Sequence, residues 1–325
     1  MTTIYRESDA DSNLLDGAVV AVVGYGNQGR SWALNLRDSG LDVRVFARAD
    51  ASRSQAETDG FTVGDLDQAD EADVLCLIVP DDLIPALPVT PRADALVIVA
   101  SGYAPAFSGF DPGCDVAMIA PRMLGPEVRS CYEQGVGFIT AIGVHQDRSG
   151  NALARTLAVA QAIGGLRQSA LPLTPHQEAV LDLAVEQALS PALRRVNNSF
   201  VQVMIEHGIP IEAILTELIL SGEIERTYRL LRLEGYAAQM AHHSPISQYG
   251  QLSRAGYFDH LDVVTKMREI VANIAEGGFA KEWDAEREAD HPTLDKLRAE
   301  ALPKELVEWE RDLRRSLGEG AVSSH

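Results

Sequence analysis

Cysteine is scarce in this 325-residue chain, with Cys76, Cys114 and Cys131 at irregular spacing. No C-x-x-C pair and no Cys/His zinc spacing occurs, so neither a disulfide framework nor a structural zinc site is expected. A reducing, cytoplasmic setting is the simplest reading of that usage. Positive charge is also short: 28 Lys and Arg stand against 47 Asp and Glu, a formal charge of −19. Nucleic acid and anionic membranes both need a basic footprint, so neither is an expected partner. No stretch of about 18 apolar residues exists to span a bilayer. Residues 1–16 are polar and acidic, without the apolar core of a secretory signal. Internal repeats are missing too. What remains is a globular composition, 46% hydrophobic and 23% charged, and a length that fits two domains of roughly 100–200 residues each.

The first half alternates strand and helix patterns. Strands are expected at 18–23, 43–47, 74–79, 96–100, 116–120 and 138–144, and a helix at 27–39 with Gly40 as its stop. Such alternation predicts an α/β, doubly wound parallel sheet over residues 1–172. Pro172 and Pro175 bracket a connector near 168–175. Beyond it, residues 173–325 read as all-α, with helical periodicity at 181–189, 200–206, 211–220, 224–240 and 261–274. The small-residue end, 321–325, reads as a frayed tail.

Gly24-Tyr25-Gly26-Asn27-Gln28-Gly29 fits G-x-G-x-x-G. The first glycine permits a tight turn, the second lets backbone N–H groups approach a pyrophosphate, and the third lets helix and strand pack closely. The bare pattern is weak, but here it follows a strand, opens a helix and begins an alternating half. Dinucleotide binding is therefore expected. At the end of the second strand, Arg48, Ser52, Arg53 and Ser54 favour a ribose 2′-phosphate, hence NADPH, while Asp50 keeps NADH open. Val79 and Pro80, closing the strand at 74–79, join the expected cofactor contacts.

Asp182 and Glu186 stand four apart on an expected helix and so share a face. Their neighbours Val180, Leu181, Leu183, Ala184, Val185, Ala188 and Leu189 are apolar, which predicts a buried helix. Two buried carboxylates need a compensating charge. Mg²⁺ suits carboxylate plus water, and an arginine such as Arg194 or Arg229 is the alternative. Among other residues, Asp81 and Asp82 read as helix caps. His145 reads either as a cleft residue or as a core histidine, and one of His242 and His243 as a proton donor at most.

These blocks resemble the ketol-acid reductoisomerases. The resemblance rests on 22–29, 33–40, Ala120-Pro121-Arg122, Val128-Arg129, 144–152, 182–187, Glu234-Gly235, Tyr249-Gly250 and 279–283, in family order. It implies a Rossmann-type domain followed by a knotted helical domain, and NAD(P)H-dependent rearrangement and reduction of acetohydroxy acids with two magnesium ions. It further implies a homodimer with shared active sites. It assigns Asp182, Glu186 and Glu217 as metal ligands, and gives site roles to Ser101, Arg122 and Ser247, with Ser244 an alternative to Ser247. Three departures stand out. Ser221 replaces a glutamate, Ser101 replaces a histidine, and Arg122 replaces a lysine. Alkyl migration needs both oxygens polarised, whereas hydride transfer needs less. The departures therefore predict a reductase of a small 2-oxo acid, ketol or imine without migration. A working reductoisomerase is the alternative, and a non-catalytic nucleotide-binding regulator a second.

Overall fold

The computed structural model describes residues 3–301 and 304–317. The expected frayed tail at 321–325 lies outside them. The chain divides into two compact units, Met1–Leu183 and Ala184–His325. The sequence boundary was expected at 172/173. Cα packing groups the next helix with the first unit as far as Leu183.

The first unit is an eight-stranded sheet of order β3-β2-β1-β4-β5-β6-β7-β8. Its strands are β1 (Val19–Val23), β2 (Asp42–Phe46), β3 (Val63–Gly64), β4 (Val74–Leu77), β5 (Leu96–Val99), β6 (Asp115–Pro121), β7 (Ile139–Gln146) and β8 (Ser169–Pro172). Helices α1 (Asn27–Asp38), α2 (Ala51–Thr58), α3 (Tyr103–Phe107), α4 (Gly125–Glu133), α5 (Ala152–Ala162) and α6 (Pro175–Ala184) follow in turn. The central strands are continuous β-branched and aliphatic runs, fully buried in β4 and β5. Covered on both faces, a parallel strand reads this way rather than alternating. Two apolar layers result, one around Trp32, Leu36 and Phe138, the other around Leu75, Val97 and Met118.

Three expectations are corrected. The sheet is mostly parallel rather than wholly so, because β7 runs antiparallel to β6. Apolar runs identify a strand and carry no sign of its direction. Two strands were missed: β3 is two residues long, and β8 ends in Pro172, in the place expected to be a connector. Proline is tolerated there because β8 is an edge strand.

The second unit is helical throughout its long elements. After a π-type turn at Val185–Leu189 come α7 (Ser190–Glu206), α8 (Ile211–Leu215), a second π-type turn at Thr216–Leu220, α9 (Glu223–Glu234) and α10 (Tyr236–Ala241). Then follow α11 (Pro245–Arg254), α12 (Val263–Ala275), α13 (Gly278–Glu288), α14 (Pro292–Ala301) and α15 (Lys304–Leu317). The single helix expected over 224–240 is two, broken at Gly235, whose φ of 84° ends α9. Among the described residues no helix is long and apolar enough to cross a membrane.

Candidate active site

Parallel sheets place their ligands at the carboxyl ends of the strands, at the point where strand order reverses. Here that point lies between β1 and β4. Gly24 follows β1 with φ 97°, and an added Cβ there or at Gly29 would run into the Ile78 or Gly24 carbonyl. An added Cβ at Gly26 would meet nothing within 4 Å. Two glycines are thus required by packing, and the third opens onto empty space beside the start of α1. That is the cradle a pyrophosphate needs. A cavity of about 240 Å³ continues from it, lined by Arg48, Asp50, Ser52, Val79, Pro80 and Leu83 among others.

The other expected cofactor residues are spread more widely. The Tyr25 hydroxyl turns inward, donating to Asp59 at 2.9 Å. Gln28 donates to the Met123 carbonyl at 3.0 Å, which ties α1 to the start of α4. Asn27 is exposed in the first turn of α1. Arg53 and Ser54 are not among the cavity's lining residues. The Arg53 guanidinium is engaged by the Ala47 and Gly64 carbonyls, at 2.8 and 3.1 Å, and by the Asp65 carboxylate. Ser54 is exposed.

Beyond the cavity, the ends of β4, β5 and β6 bring charged groups together. Arg122, just after β6, donates from Nη1 to Glu178 at 2.5 Å and from Nη2 to Asp182 at 3.0 Å. The Gly102 amide donates to the other Glu178 oxygen at 2.6 Å. Gly102 is required because an added Cβ would strike the Pro175 carbonyl. Glu178 is buried, and its pKa is raised, with burial the main cause and Gly102 and Arg122 opposing it. Asp81, opening a 3₁₀ turn at Asp81–Ala86, is pushed up to about 6. Burial is the main cause, the Ser101 hydroxyl opposes it, and the charges of Glu178, Asp182 and Asp82 add to it.

Ser101, Arg122 and Asp182 are therefore gathered in the first unit, although Asp182 was expected in the helical second domain beginning at 173. The arginine that meets Asp182 is Arg122, not Arg194 or Arg229. The expected burial of the carboxylate helix does not hold in the single chain. The Asp182 side chain is 50% exposed, Glu186 is exposed, and so are Leu181, Val185 and Leu189. Apolar composition along a helix does not by itself mean that its own chain buries it. Glu186 and Glu217 belong to the second unit, in its two π-type turns. Ser221 donates to the Glu217 carbonyl at 3.3 Å. Ser247 lies 3.4 Å from Nδ1 of His243, and Nε2 of His242 meets Glu234 at 2.7 Å. His145 is exposed on β7 and is no core histidine.

Glu178 and Gly102 were missed, and Asp81 was read only as a cap. The signal for Glu178 was present: it precedes Asp182 by the same four residues that separate Asp182 from Glu186. Hard oxygen donors in excess of one guanidinium suit a cation such as Mg²⁺. Among the described residues, however, no three His, Cys, Asp or Glu side chains gather closely enough to hold an ion.

Residues 14–169 match the family model described as acetohydroxy acid isomeroreductase, NADPH-binding domain. Residues 176–318 match ketol-acid reductoisomerase, C-terminal domain. The chain belongs to the ketol-acid reductoisomerase family. A ketol-acid reductoisomerase (NADP(+)) of Caldivirga maquilingensis is 36% identical, over 98% of this chain and all of that protein. A ketol-acid reductoisomerase (NAD(P)(+)) of Metallosphaera sedula is 34% identical over 94% and 93%. The solved structure of an NADH-preferring ketol-acid reductoisomerase from an uncultured archaeon superposes with a TM-score of 0.88 at 27% identity, covering 96% of this chain and 98% of that one. The chain is accordingly an NAD(P)H-dependent oxidoreductase of this family, with a Rossmann-type first unit and a helical second one.

Proposed function

We propose that the chain is a working ketol-acid reductoisomerase, acting in the cytoplasm, that converts acetohydroxy acids such as 2-acetolactate to dihydroxy acids. The observation that carries this reading is the charged cluster Asp81–Ser101–Arg122–Glu178–Asp182, set at the strand ends next to the glycine turn. The Gly26 cradle fits a dinucleotide pyrophosphate, and bound NADPH supplies a hydride to the substrate carbonyl. The family resemblance assigns Mg²⁺ to Asp182, which lies in the first unit, and to Glu186 and Glu217, which lie in the second. The bound ions would polarise the two adjacent oxygens across which the alkyl group moves.

Within the chain, Arg122 fixes the direction of Asp182 and offsets its charge, while the Gly102 amide and Arg122 together anchor Glu178. Asp81, pushed up to about 6, holds a proton over part of the physiological range and can exchange one with Ser101 or the substrate. The second unit leaves Ile246, Tyr249, Tyr257 and Phe258 more than two-thirds exposed. A patch so apolar calls for a partner, and a second copy of the chain, sharing active sites through Glu217 and Ser247, is the partner this reading assigns.

Reduction without alkyl migration is the second reading. Ser101 and Ser221 favour it, standing where the family resemblance implies a histidine and a glutamate. Product analysis separates the two. With NADPH and Mg²⁺, 2-acetolactate should yield 2,3-dihydroxyisovalerate. If only the already rearranged 2-oxo acid is reduced and 2-acetolactate is left intact, migration has been lost and the second reading stands.

A further inference from the structure

A second cavity in the first unit has no part in the site described above. It holds about 330 Å³, against about 240 Å³ for the dinucleotide cavity. Pockets that take small molecules start at about 300 Å³. Its walls come mostly from the β4–β5 and β5–β6 connections, and include Ile84, Leu87, Phe110, Pro85, Pro91 and Pro112. Three proline rings and a phenyl ring make a stiff lining suited to a large apolar group.

Asp111 is the one ionisable residue among those lining this cavity. Its carboxylate accepts from the Gly113 amide at 2.9 Å, and both of its oxygens lie 2.9 Å from Nη2 of Arg148. The Gly113 amide, and then Arg148, hold the carboxyl below its ordinary range, so it is an anion at neutral pH. Arg148 spends only Nη2 on this pair, and its other guanidinium nitrogens find no partner among the described residues. Both side chains are about half exposed, and an ion pair so exposed is weak enough to open for a ligand. The Ser108 hydroxyl, by contrast, is committed to the Ala104 carbonyl at 2.6 Å. An apolar cavity thus has one acid and one base side by side at its edge.

A free α-amino acid carries both charges together, with its side chain beside them. We propose that this cavity binds an α-amino acid with a large apolar side chain. That side chain enters between the prolines and Phe110, the ammonium donates to Asp111, and the carboxylate accepts from Arg148. A lone anion or cation would meet one partner and be repelled by the other. The position gives binding a consequence. Ile84 and Pro85 belong to the Asp81–Ala86 turn, whose first residue stands in the charged cluster, and Leu87 lines both cavities. A ligand that braces this segment alters a wall of the dinucleotide cavity, so the two sites are coupled, and reciprocally. The inference rests on the neighbouring cavity holding the dinucleotide, and not on which acetohydroxy acid is turned over.

Direct binding to the full-length protein tests it without substrate. Calorimetric titration with L-phenylalanine should give saturable binding with a Kd below about 1 mM. Phenylpropanoate, which lacks the ammonium, and phenethylamine, which lacks the carboxylate, should each bind at least about 10-fold more weakly. Asp111→Asn and Arg148→Gln should each weaken L-phenylalanine by about 10-fold. Val89→Trp fills the cavity from its wall and should abolish binding, which serves if the charge variants loosen the loop. Saturating L-phenylalanine should shift the NADPH Kd by at least about threefold, and NADPH should shift that of L-phenylalanine equally. No saturable binding up to about 10 mM, equal binding of either one-charged analogue, insensitivity to all three variants, or an unmoved NADPH affinity overturns the proposal. Failure to turn over 2-acetolactate would bear on the reductoisomerase reading and leave these affinities untouched.

Discussion

The two units spend their apolar residues differently. In the first, β-branched and aliphatic strands close two layers, and Trp32, Leu36, Leu75, Ile98 and Ile119 are fully buried. In the second, the buried apolar residues among those described are few: Ala188, Ile214, Met240, Ile274 and Ala280. Large side chains such as Ile219, Leu233, Ile246 and Tyr249 stay more than 60% exposed. One unit completes its core within a single chain, and the other leaves its core open. Since burial supplies most of the drive to fold, the second unit's stability should depend on assembly in a way the first unit's does not.

Dilution breaks or sharpens that contrast most strongly. Trp32 reports on the first unit, and Trp283 and Trp309 on the second. In urea titrations of single-region tryptophan variants, the second-unit transition should shift to lower urea on dilution and vanish at nanomolar concentration. The Trp32 transition should stay put, because folding linked to association depends on concentration. Coincident, concentration-independent transitions would show that the open helices are stable alone.

The next largest effect should come from Gly102→Ala, in the turn where the Gly102 amide meets Glu178 and the Pro175 carbonyl approaches closely. The added methyl must displace backbone rather than a flexible side chain. A loss of about 2–4 kcal/mol is expected, together with loss of reductase activity. The same substitution at Gly250 on α11, where an added Cβ meets nothing within 4 Å, should leave the stability of the first unit unchanged. Denaturant midpoints for both variants check the pair.

What sequence made legible follows the same division. Strands β1, β4 and β5 announce themselves because burial on both faces demands unbroken apolar runs. The glycine turn announces itself because its three positions have distinct steric duties. The direction of β7, the two-residue β3 and the proline-ended β8 leave no such trace. In the site, the spacing of Asp182 and Glu186 pointed to a carboxylate face but not to its exposure. Whether a second chain covers that face is not written in the helix itself. Arg53 shows the opposite error: a cation of the right type in the right loop was assigned to a ligand, yet three backbone and side-chain oxygens of its own domain already hold it. Charge type is legible in sequence, whereas prior engagement of that charge is a tertiary fact.

The smallest effect, and the one most specific to the first unit, concerns Asp81. Its folded-state pKa of about 6 stands above the ordinary 3.8. Between those values the folded protein binds more protons than the unfolded chain, so stability falls as pH rises through that window and the full cost is present above it. Asp81→Asn should therefore stabilise the first unit at pH 7.5, by at most about 3 kcal/mol, and by nothing below pH 4. Thermal melts of both proteins across pH 4–8 in EDTA measure this. Substrate turnover should move the other way, because the group that burdens the folded state is the one that can carry a proton beside Ser101. A gain in stability that is constant with pH would mean that Asn merely packs better, and the link between Asp81's burial and its proton would be lost.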